Sequence, residues 1–315
     1  MYNIVALGEL LIDFTPIKTA DGILYKQNAG GAPCNMLTMA SNLGSKTAFI
    51  GKVGSDEFGV FLADVLQKHG VDLSGLVIDN KYNTTLAFVH LNEQNDRSFS
   101  FYRKGCADIM LSKNDINYSL INKAQAVHFG SLSFTNEPSK FAVEEAINYA
   151  KLQGKLITYD PNYRPALWQS VACAIKGMKK GLKYADILKV SQEEAQLLTN
   201  EKDIKTAAIK LSDYGIKLIC ITLAEQGSFY YHKNGNAVVA GFKATVKDST
   251  GAGDAFFGAV VHQILEQKVN LNNINNEALT KIFKYANAAA SLCIESLGGI
   301  ASLPTIEEVE ERVYK

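Results

Sequence analysis

Short apolar runs alternate with amphipathic stretches along the whole 315-residue chain, and no repeat, low-complexity tract or linker interrupts them. Together these observations predict an α/β fold, a parallel sheet flanked on both faces by helices. Length alone would allow two domains of ~150 residues each. With no composition shift to mark a boundary, the expectation is one domain over residues 1–315 carrying a small appendage.

The elements follow in order. Ile4–Leu7 reads as a buried strand, Pro33–Leu43 as a helix ended by Gly44, and Thr47–Gly51 as the next strand. Glu57–His69 places apolar residues at helical spacing and stops at Gly70, a natural helix terminator. Val127–Phe129, Leu156–Tyr159, Ile187–Val190 and Leu218–Leu223 are further short strands, with helices over Phe141–Leu152 and Thr206–Tyr214. Ala237–Val246 is β-rich, and Ala255–Leu265 is an apolar helical run. Thr305 with Glu308 forms a capping-box pattern that opens a final helix.

Two segments break the alternation. Gly22–Asn28 and Thr84–Tyr102 follow a period near two; Leu86, Phe88 and His90 share a face, as do Phe99 and Phe101. Asn95-Asp96 suits a hairpin tip. These segments predict a small antiparallel flap standing off the main sheet, with exposed strands to protect. A lid or a dimer contact is the natural use for it.

Lys plus Arg and Asp plus Glu both number 32, so the formal net charge is zero. That balance argues against broad binding of nucleic acid or anionic lipid, though not against a local phosphate pocket. No uncharged apolar run approaches the ~18 residues of a membrane span, and Glu9 and Asp13 interrupt the N-terminal apolar stretch where a signal peptide would need continuity. The five cysteines are scattered without a CxxC pair, which suits reduced thiols in a cytoplasmic protein.

Chemistry concentrates in Asp248-Ser-Thr-Gly251-Ala-Gly253-Asp254. Small residues at Gly251, Ala252 and Gly253 let backbone N–H groups converge at a helix N-terminus, where the dipole favours an anion. Asp254 directly behind that nest fits a general base beside a phosphoryl group; the same local grammar fits a helix N-cap equally well. The Walker A pattern is absent, because Gly51-Lys52 is followed by Val53. A GxGxxG dinucleotide fingerprint also fails after Gly253. A second cluster, Gly30-Gly31-Ala32-Pro33-Cys34-Asn35, opens the first long helix, where glycines permit a ligand to approach the backbone closely.

The two clusters, joined by Gly51 through Gly59, resemble the ribokinase-like (PfkB) sugar kinases over nearly the whole length. The resemblance implies a Rossmann-like domain with a β-sheet lid from segments about 14–30 and 84–106. It implies Asp254 as catalytic base and the amides of Gly251, Ala252 and Gly253 as an anion hole. Asp13, Gly30, Gly31 and Asn35 would hold sugar hydroxyls. Phe101-Tyr102-Arg103 with Ala107-Asp108, and Asp160 through Trp168, are similar to the fructokinase subgroup, with Arg103 reaching the sugar from the lid and Arg164 meeting sugar or phosphate.

On the nucleotide side, the resemblance implies Lys189 and Glu194 near ATP, with Glu194 placing Mg²⁺ through water. Ser191 stands where the family has Asn. Thr222 and Gly227 would lie near the ATP phosphates and ribose, with Ala224 where glycine is usual, and Asn287 on the adenine side. Asp248, Thr250, Cys293, Ser296, Gly298 and Ser302 align with a potassium site. The implied activity is ATP-dependent phosphorylation of a sugar hydroxyl, fructose to fructose 6-phosphate, the alternative substrate being 2-keto-3-deoxygluconate. A homodimer through the lid is the expected assembly.

Overall fold

The structure is a computed structural model that describes residues 1–91 and 97–315. The main sheet is built around β1 (Tyr2–Leu7), whose side chains alternate between two cores. Ile4 and Ala6 face one helical layer and Val5 and Leu7 the other, all fully buried. Burying each of the larger three stabilises the fold by about 1.5–3 kcal/mol. A run apolar on both faces is what a central parallel strand requires.

To one side of β1 lie β4 (Thr47–Gly54) and β5 (Asp72–Asp79). To the other lie β8 (Ala124–Gly130), β9 (Leu156–Asp160), β10 (Ile187–Ser191) and β11 (Leu218–Thr222), every pairing parallel. Two antiparallel strands, β12 (Ser228–His232) and β13 (Gly235–Val239), finish the nine-stranded sheet. The β-rich stretch read from sequence as Ala237–Val246 therefore ends early. The Asn287 amide captures the Val239 and Ala240 carbonyls, and the strand stops there.

One face carries α1 (Ala32–Asn42), α2 (Glu57–Lys68), α8 (Ala252–Glu266), α9 (Asn276–Cys293) and α10 (Ile306–Tyr314). The opposite face carries α3 (Tyr118–Lys123), α4 (Ser139–Leu152), α5 (Val171–Leu182), α6 (Gln192–Thr199) and α7 (Ile204–Ser212). Thr305 and Glu308 close the reciprocal capping box that opens α10. No helix among the described residues is long and apolar enough to cross a membrane.

The second sheet runs β3 (Gly22–Gly30), β2 (Leu11–Thr19), β6 (Leu86–Leu91), β7 (Arg97–Tyr102). Its two hairpins are antiparallel, but β2 meets β6 in parallel over Ile12–Phe14, which corrects the expectation of a wholly antiparallel flap. Each hairpin leaves the main body separately, so no turn dictates the central pairing. Strand β2 also begins at Leu11, earlier than expected. Its Pro16 lies beyond the short β6 pairing, in the stretch where a missing N–H costs nothing. The hairpin tip read at Asn95-Asp96 lies outside the described residues.

Chain order places the cleft. From β1 the chain builds β4 and β5 on one side and then returns to place β8 on the other. The order reverses beside β1, and in open α/β sheets ligands enter at such a switch point, beyond the carboxyl ends of the strands.

Candidate active site

A cleft opens at that switch point. Glu9 just after β1, Asn35 from α1, Asn162 just after β9, and Gly251 and Asp254 from the start of α8 line its floor and walls. Leu11 and Asp13 on β2, with Phe99 and Phe101 on β7, cover it from the small sheet. Period-two alternation explains the cover, since Asp13 pairs Ala87 and Ala87 pairs Phe101 on the same face.

Asp254 occupies the third position of α8, and Gly251 caps the helix with φ 84°. Asn35 Nδ2 donates to Asp254 Oδ2 at 2.8 Å, and Asn162 Nδ2 donates to Oδ1 at 3.3 Å. Each oxygen thus accepts one neutral donor and keeps a lone pair for another proton. Burial lifts the Asp254 carboxyl above the usual range, Asp160 adds to the rise, and Lys189 and the Asn35 hydrogen bond hold it back. The arrangement keeps a carboxylate oriented without neutralising it, which is what a proton acceptor needs.

Directly beneath the loop, Lys189 Nζ pairs with Asp160 Oδ2 at 3.0 Å, both side chains buried. Burial alone would lower the ammonium, yet Asp160, Glu194 and Asp254 together hold it above the ordinary lysine value. A Cβ at position 253 would stand 2.7 Å from Lys189 Nζ, so glycine there permits the close approach. First-turn amides of a helix have no intrahelical acceptor. That leaves the Gly253 region free to meet an anion, while the Ala252 N–H leans on the Ser249 carbonyl at 3.4 Å.

Glu194 is buried, and its two oxygens accept the amides of Tyr163 (2.6 Å) and Ser191 (2.7 Å). Ser191, standing for the family's Asn, is the N-cap of α6, its Oγ accepting the Glu194 amide. Three carboxylates, Asp160, Glu194 and Asp254, therefore surround one ammonium. Among the described residues no three such side chains are arranged to hold a metal ion directly, so a cation here would be met through water or through a bound anion.

At the α1 end of the cleft, Gly31 opens the helix at φ 116°, and a Cβ there would lie 2.4 Å from the Glu9 carbonyl. Only glycine fits. Gly30 ends β3 beside Asp13, opposite Leu11. Burial pushes the Asp13 carboxyl up to about 7; Arg164 pulls it back, and Asp254 and Asp248 raise it further. Arg164 also sits 5.7 Å over the Phe99 ring, joining the small sheet to the body.

Arg103 departs from expectation. Its Nε meets Asp108 at 2.7 Å, and its other nitrogens meet Thr135 Oγ1 and the Leu132 carbonyl. Asp108 in turn accepts from Thr85 Oγ1 at 2.5 Å. The guanidinium is thus a buried clamp at the base of the small sheet and does not line the cleft. The Gly51–Gly59 segment is likewise structural, because a Cβ on Gly59 would meet the Gly54 carbonyl at 1.9 Å, and Asp56 ties α2 to Thr84.

Sequence reasoning missed Glu9, Asn162 and Asp160. Glu9 had a signal, an acid interrupting a fully apolar stretch just past a strand. Asn162 and Asp160 had one too, since they are polar residues at and just past the carboxyl end of β9. Asn162 takes φ 47° with its amide on Asp160 Oδ1 at 2.9 Å, a local turn that aims its side chain at Asp254.

On the other side of the α8 N-terminus, Thr222 ends β11 and the Gly227 amide donates to Ala224. Ala224 adopts φ 50°, a left-handed conformation, so the turn keeps its shape without the usual glycine. Asn287 is not open to a ligand as expected. Its Oδ1 accepts from Ser228 and its Nδ2 donates to Val239 and Ala240. Asp248 accepts the amides of Thr250 (2.7 Å) and Gly298 (3.0 Å). Cys293 Sγ lies 3.6 Å from the Thr250 carbonyl and 3.2 Å from Ser302 Oγ, with the Ser296 amide on the Cys293 carbonyl. Those six residues therefore converge.

A profile of the pfkB family carbohydrate kinases matches residues 1–306. Fructokinase-1 of Zea mays is 39% identical over 317 residues, covering 99% of this chain and 98% of its own. Fructokinase-2 of Oryza sativa is 37% identical over 317 residues, covering 99% and 94%. Among solved structures, an ATP-bound fructokinase from Xylella fastidiosa superposes with a TM-score of 0.91 at 30% identity, covering 99% and 98%. A Vibrio cholerae fructokinase with fructose, ADP and calcium ion gives 0.89 at 28% identity, covering 99% of each chain.

Proposed function

The chain belongs to the pfkB family of carbohydrate kinases, and from that premise we propose that it transfers the γ-phosphoryl group of ATP to the 6-hydroxyl of fructose. The observation that carries this reading is Asp254, buried in the cleft, oriented by two amides and raised in proton affinity by burial and Asp160. A hydroxyl placed against its remaining lone pairs loses its proton to the carboxylate as it attacks. Phosphoryl transfer depends on position and charge stabilisation more than on covalent help. The amides of the Gly251–Gly253 turn and the Lys189 ammonium below it supply the charge stabilisation.

Asp13, Asn35 and the backbone of Gly30 and Gly31 hold the sugar, and Arg164 spans its edge. Glu194 holds Mg²⁺ through water, and Thr222 and Gly227 flank the nucleotide. Bound with ATP, Mg²⁺ neutralises phosphate charge. The loops of Asp248–Thr250 and Cys293–Ser302 take a potassium ion, a reading supported by their convergence and by the potassium form of a Vibrio cholerae fructokinase.

Charge favours a neutral sugar over an acid sugar. Glu9, Asp13 and Asp254 line the cleft, Arg164 is the one cation among the described lining residues, and Arg103 is bound to Asp108. A sugar panel assayed with ATP, Mg²⁺ and K⁺ tests the reading. Fructose should exceed 2-keto-3-deoxygluconate in kcat/KM by at least tenfold; a preference for the acid sugar contradicts it.

The enzyme works in the cytoplasm as a homodimer joined through the small sheet. That assembly rests on edge strand β3, which exposes Ile23, Leu24 and Tyr25. Light scattering that finds one 34.4 kDa particle at micromolar concentration rules the dimer out.

A further inference from the structure

Glu9 is only 2% exposed, and its two carboxyl oxygens differ in a telling way. Oε1 accepts the Ala32 amide at 3.2 Å, bracing the first turn of α1. Oε2 is buried with no hydrogen-bond partner among the described residues. Arg103 is near enough to act on it by charge, yet its hydrogen bonds go to Asp108, Thr135 and Leu132 and none reaches Oε2. Leaving a buried acceptor unsatisfied is costly, and more so when it is ionised. Bracing α1 needs one oxygen, so that role leaves the second unexplained. Glu9 lines the same cleft as Asp13, Asn35 and Asp254, which supplies the missing partner.

We propose that Glu9 is a specificity residue of the sugar site, its free Oε2 hydrogen-bonding one hydroxyl of the bound sugar other than the phosphoryl acceptor. The inference rests on reading the cleft as the sugar site. A sugar with a hydroxyl at that point completes the carboxyl. An analogue without it leaves Oε2 unpaired in a dry pocket beside Leu11 and Ala32. Sites built to bind a hydroxyl reject the deoxy analogue far more strongly than apolar pockets reject an added group. Burial pushes the Glu9 carboxyl up to about 7, opposed by Arg103 and reinforced by Asp108, while the Cys34 thiol donates to the Glu9 backbone carbonyl. Near neutrality the group therefore changes between donor and acceptor.

The test is a cycle of enzyme variants against fructose analogues that each lack one hydroxyl other than the 6-hydroxyl. Wild type should lose on the order of 100-fold in kcat/KM for one analogue. In Glu9→Ala that same penalty should shrink to within about threefold, while penalties for the other analogues stand. Undiminished penalties in a folded Glu9→Ala variant overturn the proposal and leave Glu9 as a brace for α1. If Glu9→Ala does not fold, Glu9→Gln, which keeps an acceptor for the Ala32 amide, decides the matter. In Glu9→Gln the penalty for that one analogue should shrink severalfold, because the amide left unpaired is neutral, while the penalties for the other analogues stand; undiminished penalties overturn the proposal. A wild type that ignores fructose but phosphorylates another sugar sinks the fructose reading alone, and the cycle is then run on deoxy analogues of that sugar.

Discussion

Asn35 Nδ2 donates to Asp254 Oδ2 across 2.8 Å, joining the first turns of α1 and α8 over 219 residues of sequence. The bond ties the glycine turn before α1 to the glycine nest before α8, so one side chain registers both halves of the cleft.

Removing that bond should shift the pH profile. Asn35 stabilises the ionised form of Asp254 and so lowers its pKa, against burial and Asp160, which raise it. A base works only when deprotonated, so wild-type kcat/KM should fall as pH drops, at a pH above that of an ordinary aspartate near ~4. In Asn35→Ala the acid limb should move to higher pH. A limb that stays in place would separate Asn35 from the ionisation of Asp254.

Gly253→Ala places a Cβ 2.7 Å from Lys189 Nζ. The ammonium must retreat from beneath the helix N-terminus or strain its pair with Asp160. We expect kcat/KM for ATP to fall by about tenfold or more. Melting and steady-state kinetics check this, and full activity would show that Lys189 need not lie so close.

The clamp at the base of the small sheet predicts a thermodynamic cycle. Arg103→Ala and Asp108→Ala each strip one partner from a buried ion pair, at a cost of about 3–5 kcal/mol. The double variant should lose clearly less than the sum of the two, as denaturant unfolding would show. Additive losses would mean that the two residues act apart.

Ala224 holds a left-handed backbone at φ 50°, which costs an L-residue about 1–2 kcal/mol. Ala224→Gly should therefore raise stability by about 1 kcal/mol in denaturant unfolding, with activity kept. A loss of stability would show that the unfolded-state entropy of glycine outweighs the strain.

These cases also show which features a sequence reveals. The central strand Ile4–Leu7 and the nest before Asp254 were legible because apolar runs and glycine clusters are local. The parallel β2–β6 pairing was not, since no turn joins those strands and Pro16 weakens the strand pattern of β2. Arg103 illustrates the limit for side chains. Its partner Asp108 is five residues away, yet only the packing of Thr85, Thr135 and Leu132 around them turns the guanidinium from the cleft. Asn287 was similarly opaque, because the backbone carbonyls it binds leave no mark in sequence. Glu9 was visible as an acid in an apolar stretch, but its unpaired oxygen appears only once Ala32 is folded against the other.

The most direct test of the central claim is the turnover of Asp254→Asn. The amide keeps the size of the carboxyl and loses its basicity, so ATP and fructose should bind nearly as before, measured by calorimetry. kcat should fall by on the order of 100-fold or more. Near-normal turnover with both ligands bound would remove Asp254 from the chemistry and contradict the account.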